Sequence, residues 1–594
     1  MTTKVLERDH QCSELKMDPI KFEVMRSAFV AAADEMGVAL RKAAYSTNIK
    51  TRADFSCALF DAKLRLIAQS FSQPVHLASM SRMIPRAIRQ YGVENLESGD
   101  ALVTNHPFRG GVHLNDVAII APFYSGEGQL EGYAATIAHH VDIGGYAPGG
   151  YCISTEIYQE GIIIPPAKLV SRGKIVQDVF NVILENIRSP RQSAGDFRAQ
   201  IAASLLGQRR MAEIINKFGA PTVEQFVDEL IEYTERWARS EIMALAEGDQ
   251  YFAECHLDDD GTTDQPIRLV LRATIKGGRV SFDLTGSDEQ RNSPMNATLS
   301  QTYSALAYVI KCLIDPDVPT NEGFYRLIDV TAAEGTVFNA RPPVGVVGGW
   351  EVTMRLCDLG FRAFSDAMPT KVMASTKSIN CHMACGGRDP RTGEYYAFIE
   401  TMAGGYGGRP TKDGMDAVQA HFQNTENSAV EETENNYPFM ITRYELIPDS
   451  EGPGRYRGGL GVRREWKFCN HEATLTVFSD NRKFAPWGLF GGGSGAPSRY
   501  ILNPDGEARD LPSKVTLRLP PNSVISYRTP GGGGYGPTLE RDPQLVLSDV
   551  INGKVSPGRA HDVYGVVVDL EKGLVNEETS CRLREQMKKQ AELG

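Results

Sequence analysis

Ala101-Leu102-Val103-Thr104-Asn105-His106-Pro107-Phe108-Arg109-Gly110-Gly111-Val112-His113-Leu114-Asn115-Asp116-Val117 leads on to Thr136-Ile137-Ala138-His139-His140-Val141-Asp142-Ile143-Gly144-Gly145, and the reading of the chain turns on these two runs. From Ala101 to Ile143 short apolar runs alternate with polar turns and glycine pairs, the pattern of strands joined by tight loops. Upstream, Phe22, Met25, Phe29, Met36 and Leu40 recur at helical spacing and predict a core-facing helix over Ile20 to Lys42. Cys57 to Phe60 and Leu64 to Gln69 flank a turn at Asp61-Ala62-Lys63 and read as a hairpin.

Downstream, a helical stretch is expected from about Asp196 to Ala246, then a hairpin of Ile267–Ile275 and Arg279–Leu284 turning at Gly277-Gly278. Helices follow over Leu299–Leu313 and Gly348–Met368. The last third carries strand patterns around Tyr444–Leu446, Arg463–Phe468, Thr474–Phe478 and Ser523–Tyr527, and a charged helix from Glu577 to Leu593. The expected fold class is α+β: multi-domain, with a mixed N-terminal α/β part, a central helical layer and a β-rich C-terminal part. The expected divisions are a tail over 1–19, a metal-binding α+β domain over 20–250, a central α+β domain over 251–440, a Gly-rich β domain over 441–545 and a tail with a helix over 546–594.

A chain of 594 residues exceeds what one core organises. Its net charge of −11, with no basic stripe, argues against a nucleic-acid partner. The polar start from Met1 to Met17 has no signal-peptide core, and no run approaches the roughly 20 apolar residues that span a bilayer. The expectation is a cytoplasmic protein with no membrane contact. Ten cysteines, among them Cys12, Cys57, Cys152, Cys255, Cys312 and Cys469, are too dispersed for a disulfide scaffold. Cys381 and Cys385, flanking His382, read as buried small hydrophobes.

The His113-x-x-Asp116 spacing can bring an imidazole nitrogen and a carboxylate oxygen to one cation. The strand ending in His139-His140 can add one more ring, because neighbouring strand residues point to opposite faces. With Asp54 as an oxygen donor, such a shell suits Zn, Mn or Fe(II) and would activate water or polarise a carbonyl. Asp283 and Asp288, around the Thr285-Gly286 turn, are candidate catalytic bases. The runs at Gly404–Gly408, Gly491–Gly493 and Gly531–Gly536 lack the Lys and Ser/Thr of a nucleotide-binding loop, and read as tight turns using positive φ.

The chain resembles the hydantoinase B/oxoprolinase family from about Met17 to Asp542. The resemblance is carried by Arg52-Ala53-Asp54-Phe55-Ser56-Cys57, His113-Leu114-Asn115-Asp116-Val117, Ala138-His139-His140-Val141-Asp142, Gly454-Arg455-Tyr456-Arg457-Gly458-Gly459, Pro486-Trp487-Gly488-Leu489-Phe490 and the Thr529 to Gly536 loop. It implies a divalent metal on Asp54, His113, Asp116 and His139, the first histidine of the pair. It also implies an ATPase partner of hydantoinase A type, carrying ATP and Mg, in a hetero-oligomer with two copies of each subunit. Hydantoins or lactams would be opened through a phosphorylated amide; ketone carboxylation of the acetone or acetophenone type is the alternative, and a scaffold without chemistry a third reading. Many relatives read Asn-Asp-Pro-Tyr where this chain reads Asn105-His106-Pro107-Phe108, a difference that bears on substrate contacts.

Overall fold

The strands expected between Ala101 and Ile143 form the middle of a seven-stranded antiparallel sheet in the computed structural model, which describes residues 15–70, 73–126 and 128–593. Residues 1–14, with Cys12 and most of the expected tail, lie outside the described residues. β1 (Phe55–Asp61), β2 (Leu66–Gln69), β3 (Ala101–Thr104), β4 (Asp116–Tyr124), β5 (Leu130–His139), β6 (Ala167–Ser171) and β7 (Lys174–Ile175) lie in the order β2-β1-β5-β4-β3-β6-β7.

Three helices make this sheet a buried layer. α1 (Pro19–Ala43) starts where Asp18 accepts from the Lys21 amide and Pro19 takes a position that needs no N–H donor. α2 (Pro74–Tyr91) covers the opposite face, and α3 (Pro190–Phe218) joins α1. Cys57, Leu59, Ala134 and Ala138 bury against Phe22, Met25, Phe29, Met36, Ala199 and Ala203. Ala58, Phe60, Ala118, Ile120, Ala135 and Ile137 bury against Val75, Ala78, Met83 and Ile84 of α2. Sealed on both sides, β1 reads as a continuous buried run, not an alternating one.

The expected 196–246 helix is two helices. α3 begins six residues earlier, at Pro190, and Gly219, at φ 85°, breaks the chain before α4 (Ala220–Met243). The hairpin at Gly277-Gly278 is present, both glycines having positive φ. It belongs to a second sheet, β8 (Gly248–Leu257), β9 (Ile267–Lys276), β10 (Arg279–Asp283) and β11 (Ile328–Thr331), in the order β11-β10-β9-β8. Against it pack α5 (Leu299–Leu313), opened by a Thr298–Gln301 capping box, and α6 (Gly349–Ala363).

The C-terminal part is two sheets over an aromatic core. One pairs β12 (His382–Arg388), β13 (Tyr395–Thr401), β16 (Ala473–Phe478) and β19 (Lys514–Leu519) in the order β13-β12-β16-β19. The other has β14 (Phe439–Leu446), β15 (Val462–Phe468), β20 (Val524–Arg528), β17 (Arg499–Leu502) and β18 (Arg509–Leu511), in that order. Phe398, Tyr437, Phe439, Trp466, Phe468, Tyr500 and Tyr527 fill the space between them, with Cys381 and Cys385. The class is α+β, as expected. Among the described residues no helix is long and apolar enough to cross a membrane.

The tight-turn reading holds at Gly491 and Gly536, which have positive φ, and is corrected along the rest of the glycine-rich runs. Gly404, Gly405, Gly407 and Gly408, and Gly531 to Gly534, all have ordinary negative or extended φ. Here glycine serves close approach: a Cβ on Gly407 would stand 1.8 Å from the Ala374 carbonyl oxygen, and one on Gly531 1.7 Å from that of Ser450. Backbones from distant segments instead hydrogen-bond directly, as in Gly405 N to Pro530 O and Gly408 N to Gly533 O.

Candidate metal centre

Register assembles the site. In antiparallel β4 and β5, Asp116 pairs with His139, and β1 pairs Phe55 with Ala138, so Asp54 precedes the strand directly beside His139. His139 N donates to Asp54 O at 3.0 Å, just past the end of that ladder. Directly opposed residues share a face, so Asp54, His139 and Asp116 all point to the α2 side. His113 arrives from the preceding loop, and its carbonyl accepts from Asp116 N at 3.1 Å. His140 points the other way: its Nε2 lies 2.9 Å from Gln200 Oε1, and its ring packs on Phe197 of α3. Strand alternation thus selects the first histidine of the pair.

His113, Asp116 and His139 each offer a ligand atom, all within 4.8 Å of one another, and all three are buried. His113 Nε2 stands 3.2 Å from Asp116 Oδ2, and His76 Nε2 stands 3.2 Å from Asp116 Oδ1. Neither contact has hydrogen-bond geometry. His113 Nδ1 and Nε2, both Asp116 oxygens, His76 Nε2 and Asp54 Oδ1 have no hydrogen-bond partner. Lone pairs left unpaired in a dry interior cost about 1–3 kcal/mol each. Two donors about 2.1 Å from one cation lie roughly 3.0–3.4 Å apart, so the His113–Asp116 spacing and the donor set as a whole fit a bound divalent metal.

The electrostatics agree with a cation site. Burial lowers His113 and His139 below the ordinary imidazole value, keeping both rings neutral and able to ligate. Burial alone would raise Asp116, but His113 and His76 hold it well below the carboxylate range. Asp54 is pushed up to about 6 by burial, with Asp116 adding to the rise and His76 and Arg52 opposing it.

Around the cluster sits a supporting shell. Asn48 Nδ2 lies 2.9 Å from His139 Nδ1, leaving Nε2 on the cluster side, and Arg52 Nη1 fixes Asn48 by donating to its Oδ1 at 2.6 Å. Arg52 is itself buried, donating to Ile399 O and Thr401 Oγ1. Asn105 braces the loop by donating to Leu114 O and Ile162 O. Asp142, after the histidine pair, caps its own loop through Gly149 N and Arg188 N.

Four residues of the region were not singled out in the sequence. His76, on α2, touches Asp116. Tyr151 follows the Pro148–Gly150 turn, with its hydroxyl 3.4 Å from His139 Nε2 and 3.4 Å from His382 Nε2. His382, between the two core cysteines, opens β12, and Glu351 lies in the first turn of α6, its Oε1 3.3 Å from His382 Nδ1. A Q-P-V-H run opening an amphipathic helix was the one available signal for His76.

Asp283 and Asp288 are not brought to the cluster. They lie at and just past the C-terminal end of β10 in the second sheet, where Asp283 accepts from Thr285 N, and Asp288 accepts from Arg268 N and pairs with Arg291 at 2.6 Å. Carboxylates spent on their own turn and a neighbouring arginine leave the expected base without geometric support.

The hydantoinase B/oxoprolinase family model matches residues 18–538. An uncharacterized protein of Methanocaldococcus jannaschii is 38% identical over 93% of this chain and 96% of its own length. A putative D-/L-hydantoinase component from a Pseudomonas species is 33% identical over 93% of this chain and 96% of its own. The crystal structure of ATP-dependent caprolactamase from Pseudomonas jessenii superposes with a TM-score of 0.89 at 28% identity, covering 96% of this chain and all of that one. With a match over most of its length and relatives above 30% identity along whole chains, this chain belongs to the hydantoinase B/oxoprolinase family.

Proposed function

We propose that the chain is the metal-binding subunit of an ATP-dependent cyclic amide hydrolase that works with an ATPase partner of hydantoinase A type. The observation that carries this reading is the buried His113–Asp116–His139 cluster with its unpartnered donors, in a chain whose relatives include a putative hydantoinase component and a caprolactamase. His113, Asp116 and His139 would hold the metal, with Asp54 as the fourth donor; Zn or Mn suits the set, and Fe(II) is compatible. A bound divalent metal supplies Lewis-acid polarisation of an oxygen and lowers the pKa of water.

The partner would spend ATP and Mg on phosphorylating the amide oxygen, which removes amide resonance from the ring. In this chain, Asn48 and Arg52 keep the His139 ring oriented, and α2 excludes bulk water from the α2-facing side. Water then completes the reaction, giving ADP, phosphate and the ring-opened product. The assembly follows as a hetero-oligomer with two copies of each subunit.

Co-purifying the chain with its ATPase partner and measuring ATP hydrolysis against hydantoins, lactams and 5-oxoproline tests the reading. Stimulation by a cyclic amide supports it. Stimulation only by a ketone with bicarbonate would replace it by the carboxylase alternative.

A further inference from the structure

We propose that the cavity between α2, the turn after β3 and the start of α5 binds a phosphate-type dianion, held by Arg82, Arg86, Arg89 and Arg341. The site lies outside the metal cluster and does not depend on the proposed hydrolase reading. Charge is unbalanced there. The chain as a whole carries −11, yet one cavity of about 720 Å³ is lined by Lys63, Arg65 and those four arginines against two carboxylates, Glu322 and Glu334. Lys63 is spent on Glu224 at 3.0 Å, and Arg65 on Asp61 and Asp228, each at 2.6 Å. Glu322 lies beside Arg326. Among the described residues Arg82, Arg86, Arg89 and Arg341 make no ion pair, which leaves four free guanidinium groups against Glu334 alone.

Arg82, Arg86 and Arg89 stand at i, i+4 and i+7 of α2, so three like charges share one helix face and repel one another unless an anion lies between them. Arg82 is already placed. Its guanidinium carbon lies 3.7 Å from the centre of the Tyr303 ring, which is anchored by its hydroxyl donating to Tyr325 O at 2.7 Å. A guanidinium stacked flat keeps its N–H edge free, and that edge matches two oxygens of a phosphate. Arg341 comes from a separate loop. The N-terminus of α5 opens on the same cavity through Leu299 and Ser300. Thr298 Oγ1 accepts from Gln301 N, while the amides of Leu299 and Ser300 have no partner among the described residues, so the positive end of that helix adds to the arginines. The volume is that of a small-molecule site. Thr298 Oγ1 also donates to Gly111 O at 2.9 Å, so the site adjoins the loop that carries His113.

The probes are inorganic phosphate and phenyl phosphate, each titrated by calorimetry into the purified chain at low ionic strength. One saturating site per chain is expected. Binding of both probes assigns the site to phosphate esters, and binding of inorganic phosphate alone assigns it to the free ion. Arg86→Gln and Arg341→Gln change exposed residues on separate elements, so each should keep the melting temperature and weaken binding about tenfold, the loss of one charged hydrogen bond. Arg172→Gln, outside the cavity and paired with Glu97, should bind as the wild type does. Saturation by neither probe would overturn the assignment and leave the arginines to an acidic protein surface. Unchanged binding in Arg86→Gln or Arg341→Gln would overturn it by moving the phosphate elsewhere, the metal centre included. Equal weakening by Arg172→Gln would reduce it to diffuse charge.

Discussion

The carboxylate of Asp116 divides between two imidazoles, with Oδ2 3.2 Å from His113 Nε2 and Oδ1 3.2 Å from His76 Nε2. His113 sits three residues away in the loop that leads into β4, while His76 reaches the site from α2, across the sheet face. An imidazole beside the second oxygen of a ligating carboxylate helps to set its orientation, here by charge and proximity, not by an aligned hydrogen bond.

His76→Gln should therefore weaken metal affinity by about 10–100-fold while leaving one site per chain at saturation. Competition against a calibrated chelator reads the affinity. An unchanged affinity would show that Asp116 needs no second partner.

Arg52 is a buried guanidinium that satisfies Asn48 Oδ1, Ile399 O and Thr401 Oγ1. Arg52→Met leaves those acceptors dry and unpaired, and should cost at least about 3 kcal/mol in urea unfolding. Because Asn48 is then free to turn, metal affinity should fall with stability. Full affinity in a destabilised variant would separate the two effects.

The glycine runs make the sharpest stability contrast. Gly531→Ala places a methyl 1.7 Å from the Ser450 carbonyl oxygen, a clash between two backbones that no rotamer relieves. It should lose more than about 4 kcal/mol or fail to fold. Gly126→Ala meets nothing within 4 Å and should change stability by less than about 0.5 kcal/mol. Soluble expression and melting temperature of the two variants give the comparison.

Glu160 carries a pH signature away from the metal. Burial raises its carboxyl from 4.5 to about 7, although Ser154 Oγ and Val346 N hydrogen-bond to it. The folded chain binds this proton more tightly than the unfolded one, so the associated stability is full below about pH 4.5 and lost as pH rises to about 7, on the order of 3 kcal/mol. Glu160→Gln should remove that slope. Melting curves at pH 5.5 and 8 for both proteins check it, and parallel slopes would contradict the assignment.

Much of the N-terminal sheet was legible because its signals are local. Alternation and turn residues marked β4 and β5, and the His-x-x-Asp and His-His spacings lay on them, so register alone carried Asp116 to His139. Asp54 was offered as an oxygen donor to the set and again by the family resemblance, and the sheet places it there, since β1 runs beside β5. His76, Glu351 and His382 were not legible. Each is a single polar residue on an element with its own structural reason to exist, and only tertiary packing brings α2, α6 and β12 to one point. Most glycines of the runs misled for a related reason, Gly491 and Gly536 with their positive φ being the exceptions: a turn and a crossing of backbones both demand glycine, and sequence does not say which. Asp283 and Asp288 lie away from the cluster, the first bonded to its own turn and the second to Arg268 N and Arg291.

Whether the His113–Asp116–His139 cluster holds a metal decides the proposed chemistry. Elemental analysis of chain purified without chelators, wild type beside His113→Ala, measures it directly. About one divalent ion per chain in the wild type, lost from a His113→Ala protein that still melts cooperatively, is the predicted result. No stoichiometric metal in the wild type, or the same content in both proteins, would contradict it.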